Sequence, residues 1–188
     1  MKHSARRLAA TVAALLVSAI PAAAAAESTG VTLAWGTFRP YTPRAVAVTH
    51  DPVLVPPGAG ASVLAISSPN STVVTISVRH LVPHRDYGAH VHTRPCGPDP
   101  AGSGPHFQHR PDPRQPSVDP AYANPRNEIW LDFSTDEFGN ATARATVNWT
   151  FTTRPARAVV IHEHHTHTGA GHAGTAGGRL ACVNARFR

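Results

Sequence analysis

The chain has 188 residues, with 17 Lys and Arg against 11 Asp and Glu, 13 His and 2 Cys. That length suits one domain with a core of its own, and no apolar run reaches the roughly 18 residues that a membrane-spanning helix needs. The basic residues are scattered along the sequence and are not interleaved with aromatics as a nucleic-acid stacking groove requires, which argues against a nucleic-acid partner.

Lys2, Arg6 and Arg7, then the apolar run Leu8 to Ile20, then Pro21 with Ala22 to Ala26, have the order of an export signal. Residues 1–26 are therefore expected to be a signal peptide and 27–188 the folded domain, in a secreted, periplasmic or cell-envelope protein. Those three basic residues leave 14 of the 17 against 11 acidic ones, a net charge of +3 with histidines neutral. So mild a charge favours the approach of small anions and little else. Two cysteines in an exported chain most simply pair, so Cys96 and Cys182 are expected to form a disulfide.

Period-two apolar runs bounded by Pro, Asn and Gly predict strands. They cover 31–38, 44–49, 61–67, 72–79, 88–93, 128–134, 141–148, 158–163 and 180–187. In 61–67 Val63, Ala65 and Ser67 alternate with Leu64 and Ile66; in 72–79 Val74, Ile76 and Val78 share one face. Asp136 to Asn140 suggests a hairpin, and Trp35, Trp130 and Trp149 suggest strand packing. No 3.6-residue periodicity occurs after residue 26, so the domain is all-β, a sandwich or barrel. Residues 95–125 and 163–178 are long and irregular. Connections of that length in a compact domain tend to carry function.

The chemistry gathers beside those two stretches, in His90-Val91-His92, His106-Phe107-Gln108-His109 and His162-Glu163-His164-His165, with Arg179-Leu180-Ala181-Cys182 following. On an extended strand His90 and His92 point to one face and offer two imidazoles to one ion. Several imidazoles together suit a borderline metal, and the divalent series peaks at copper. His50, His80 and His84 fall at strand ends or turns and are read as structural. His164, His165 and His167, with His172, form a polar loop that is either merely solvated or a weak accessory copper-collecting site. Asn70, Asn140 and Asn148 head glycosylation-type triplets that carry no argument.

From about Ala61 to the C-terminus the sequence resembles the copper/zinc superoxide dismutase family, particularly its bacterial exported branch. The segment His80 to His92 carries most of that resemblance. It implies an eight-stranded Greek-key barrel or sandwich of immunoglobulin-like type with two functional loops. It also implies copper ligands at His90, His92, His106 and His162, with His106 in the bridging position and a catalytic role. Arg179 corresponds to the arginine that attracts and orients superoxide, and Cys96 with Cys182 to the family disulfide.

One departure stands out. Where the family has a His-x-x-Asp zinc pair, this chain has Asn124 and Asn127, and neutral amides are poor zinc ligands. Only His109 and a carboxylate such as Asp112 or Asp119 remain near His106 in sequence, so zinc is not expected and copper is. The expected function is an exported copper-dependent superoxide dismutase. The alternative is a non-catalytic domain of the same fold that stores or delivers copper.

Overall fold

A computed structural model describes residues 30–151 and 154–187; the expected signal peptide lies outside the described residues. The described residues form nine strands: β1 (Gly30–Thr37), β2 (Ala47–Thr49), β3 (Gly60–Ser68), β4 (Ser71–Arg79), β5 (Asp86–His92), β6 (Phe133–Ser134), β7 (Ala141–Val147), β8 (Ala156–His162) and β9 (Arg179–Phe187). One sheet has the order β1-β3-β4-β7 and the other β2-β9-β8-β5-β6, with every named ladder antiparallel. The two sheets make a sandwich and not a closed barrel. A single 3₁₀ turn, Pro100–Ser103, interrupts the loop after β5.

Alternation along the strands decides which side chains meet between the sheets. Ala61, Val63 and Ala65 of β3 and Val74, Ile76 and Val78 of β4 are buried, facing Tyr87, Ala89 and Val91 of β5, Val159 and Ile161 of β8 and Val183 of β9 in one cluster. Each fully buried aliphatic of this kind contributes about 1.5–3 kcal/mol. A second, smaller cluster of Ala45, Val48, Cys96, Ala158, Val160 and Cys182 lies on the other face of the five-stranded sheet. That outer face carries His90 and His92, and both are fully buried because the long loops cover it.

Three expectations need correction. The 128–134 strand shrinks to the two residues of β6; its first half runs beside β5 through an isolated His90–Trp130 bridge. Asp136 to Asn140 is a tight turn, but β6 pairs with β5 and β7 with β4, so it crosses between sheets and makes no hairpin. Gly139 is required there. Its φ is +74°, and a Cβ would collide with the Leu81 carbonyl. Finally, Trp149 is buried, but Trp35 is 74% exposed on edge strand β1, because among the described residues no layer covers the outer face of that sheet.

Candidate metal centre

The four expected histidines come together from three parts of the chain. His90 and His92 stand on β5 and His162 ends β8, with Gly88 paired to His162 and His90 to Val160. His106 arrives on the irregular 95–125 stretch, which the backbone clips to β5. Thr93 N–H donates to the Pro105 carbonyl and Phe107 N–H to that of Val91, at 3.1 and 2.7 Å. One ligand atom from each of His90, His92, His106 and His162 lies within 4.8 Å of the others.

Hydrogen bonding fixes the proton on every ring. Thr166 Oγ1 has one hydrogen, and Asp132 Oδ1, 2.7 Å away, can only accept it. Thr166 Oγ1 must therefore accept from His90 Nε2–H, at 2.7 Å. That leaves the lone pair of His90 on Nδ1, a buried atom with no hydrogen-bond partner. His92 Nδ1–H donates to the Gly104 carbonyl at 2.9 Å, and His162 Nδ1–H faces that of Gly177 at 3.5 Å. His106 Nδ1–H donates to Glu128 Oε2 at 2.9 Å. The lone pairs thus sit on His90 Nδ1 and on Nε2 of the other three.

The 3.3 Å approach of His92 Nε2 to His162 Nε2 is then no hydrogen bond, since each ring has spent its proton on a carbonyl. Lone pairs buried this close repel each other unless a cation lies between them. Outer partners that set the tautomer of each histidine are the usual support of a metal site. The donor set fits a metal ion held by imidazole nitrogen.

Burial keeps His90, His92 and His162 neutral. Burial drives His90 and His92 well below the ordinary histidine pKa, and neighbouring imidazoles and Arg179 add to the effect. Burial, then the charge of His106, lowers His162 to about 3. Neutral imidazoles are the form that binds metal.

A cleft of about 640 Å³ opens onto His106 and His162, and Arg179 lines it. Partial burial lowers the Arg179 pKa, with Asp99 opposing. Its guanidinium donates to the Pro100 and Ala101 carbonyls and to Ser103 Oγ, at 3.1, 3.3 and 3.0 Å. Cys96 and Cys182 are disulfide-bonded, tying the root of that loop to β9 three residues beyond Arg179.

The zinc-position residues do other work. Asn127 bonds the Arg110 and Tyr122 carbonyls and the Arg110 N–H; Asn124 caps the turn at Arg126 and Asn127 and bonds Pro120. Of the three leftover candidates, His109 stacks on Trp149 at 5.2 Å. Asp112 accepts from Arg114 N–H and Ser117 Oγ, and Asp119 from Ala121 N–H. None joins the four-histidine group among the described residues.

The residue the sequence reading missed is Glu128. It is 1% exposed and takes hydrogen bonds from His106, Gln108 and Trp130 at 2.9, 2.7 and 2.7 Å. An acidic residue at the head of the apolar run Ile129-Trp130-Leu131 was the available signal, because a buried carboxylate needs partners. Thr166 and Asp132 left no such trace.

The copper/zinc superoxide dismutase family model matches residues 60–185, a span that includes all four histidines, Arg179 and both cysteines. No curated protein matches. Among solved structures, a single-site mutant of a superoxide dismutase-like protein from Bacillus subtilis is 16% identical, with a TM-score of 0.51 over 66% of this chain and 88% of that one. The clock protein EA4 is also 16% identical, with a TM-score of 0.52 over 86% of this chain and 96% of its own. These likenesses concern the fold, whereas the family match covers most of the sequence. The chain therefore belongs to the copper/zinc superoxide dismutase family.

Proposed function

We propose that the chain is an exported, copper-dependent superoxide dismutase that works without zinc. The observation that carries this is the convergence of four buried imidazole lone pairs, His90 Nδ1 and Nε2 of His92, His106 and His162. Imidazole donors favour copper among available divalent ions. Bound copper would supply one-electron chemistry, oxidising one superoxide to oxygen and reducing the next, which takes two protons to become hydrogen peroxide.

The chain's own residues do the rest. Arg179 holds a fixed positive charge at the cleft and attracts the anion; its bonds to the 95–125 loop keep the guanidinium in place. His106 is the catalytic histidine nearest the opening and a proton carrier at Nε2. Glu128, on its Nδ1, holds the ring and offers a counter-charge when it is protonated. A carboxylate thus stands where a bridging histidine would otherwise meet a second cation, which supports a copper-only site. The disulfide suits an exported protein.

A storage or delivery domain would hold copper without needing Arg179. The test is superoxide decay measured against bound copper. Activity should scale with copper and vanish in His90→Ala and His162→Ala. Arg179→Ala should keep its copper but lose rate. Full activity in Arg179→Ala would count against the substrate role, and unchanged copper binding in a His90→Ala/His162→Ala variant would refute the ligand assignment.

A further inference from the structure

We propose that His164, His167 and His172 form a second copper site, exposed on the rim of the cleft, that captures the ion before the buried histidines take it. This rests on the copper reading above and adds the route by which copper arrives.

The connection between β8 and β9 is a folded arm. His164 N–H bonds the Ala176 carbonyl, His167 N–H that of Thr175, and Gly174 N–H that of His167, at 3.1, 2.9 and 2.9 Å. His172 is held at the tip, where its carbonyl accepts from both Thr175 N–H and Thr175 Oγ1. These bonds gather three rings instead of spreading them in solvent. The ring centroids of His164 and His167 lie 4.9 Å apart and those of His167 and His172 6.5 Å. Pairs in the buried group span 4.0 to 5.7 Å, so His164 and His167 stand within that range as they are, whereas the exposed ring of His172 must turn inward to share their ion.

The donors are available. His164 Nδ1–H is spent on the His165 carbonyl, leaving the Nε2 lone pair open, and no hydrogen bond occupies the His167 or His172 ring among the described residues. His165 does not take part: its ring points the other way, to the Phe133 carbonyl and Asp86. Of the four histidines that the sequence groups in this loop, His165 therefore drops out.

The arm also meets the buried site. The His164 ring lies 2.9 Å from where a Cβ on Gly177 would stand. Gly177 lines the cleft, and its carbonyl faces His162 Nδ1. A single residue separates the exposed imidazoles from the buried ones. One half-buried and two exposed imidazoles without a closed cage bind copper more weakly than a buried group of four, the order a handover needs.

The probe is Cu(II) added to the full protein, followed by equilibrium dialysis and electron paramagnetic resonance. The wild type should bind two equivalents of unequal affinity. A His164→Ala/His167→Ala/His172→Ala variant should bind one, and at limiting copper should load the buried site about tenfold more slowly, since a captured ion is held at high local concentration. His165→Ala should match the wild type. A His92→Gln/His162→Gln variant should keep only the weaker equivalent, which isolates this site from the buried one. Equal stoichiometry and loading rate in the wild type and the triple variant overturn the proposal, as does an equal loss in His165→Ala. If the buried site does not bind copper, the wild type and the His92→Gln/His162→Gln variant will share one weak equivalent, and the exposed site alone survives.

Discussion

The metal-free protein should be unusually sensitive to acid, and His162 allows the effect to be isolated. An unfolded histidine titrates near 6.5, whereas folded His162 titrates at about 3. A lowered folded pKa means that the unfolded chain binds the proton first, so stability is full above about pH 6.5 and falls as pH drops towards 3. The slope is about 1.36 kcal/mol per pH unit for each such histidine. Integrated between about pH 6 and pH 4, His162 alone withdraws about 2.5 kcal/mol. His90 and His92 act in the same direction. The assay is urea unfolding of chelator-treated wild type and His162→Gln at several pH values. Cavity and packing effects of the substitution do not depend on pH, and carboxylate titrations are common to both proteins. The difference between the two curves should therefore move by about 2.5 kcal/mol in favour of the variant as pH falls from about 6 to 4. Parallel curves would show that His162 is not held neutral by its surroundings.

Glu128→Ala should cost about 3 kcal/mol in urea unfolding, because the buried donors of His106, Gln108 and Trp130 lose one acceptor. A loss below about 1 kcal/mol would mean that water replaces the carboxylate without penalty. Reduction of Cys96–Cys182, which closes a separation of 86 residues, should lower stability by up to about 4.5 kcal/mol. Reduction should also loosen Arg179, seen as a lower rate at unchanged copper content. Dialysis against a weak chelator should leave no stoichiometric zinc, since Asn124, Asn127, His109, Asp112 and Asp119 are committed to loop bonds or stacking. Zinc retained at one equivalent by elemental analysis would restore a two-metal site.

Most of the strand plan was written in local alternation. Val63 against Leu64 and Ile76 against Thr75 assign faces without knowledge of the partner strand. The errors lay where partners decide. Whether Asp136 to Asn140 makes a hairpin depends on which sheet receives β7, and turn residues do not encode that. Trp35 has strand propensity, but its exposure depends on whether anything covers β1. At the site, His90 and His92 announced themselves by spacing, while His106 and His162 were legible through family resemblance. Glu128, Thr166 and Asp132 were hidden because their role is to place protons on other residues' nitrogens. Such a role depends on contacts spanning 22 to 76 residues of chain and leaves no local pattern.

Gly88 shows how far a small absence reaches. It sits on β5 two residues before His90, and a Cβ there would stand 2.5 Å from the His164 carbonyl oxygen and 2.8 Å from Ala176 Cβ. A methyl group at this position would lift the arm that carries Thr166 away from the sheet. His90 would keep its place on the strand but lose the partner that dictates which nitrogen bears hydrogen. Its ring would then exchange between two tautomers, one of them presenting an N–H where an electron pair is needed. The bare backbone at position 88 is in this sense a selector of isomers: by leaving room for a loop, it keeps a neighbouring ring in the one chemical form that can act as a donor.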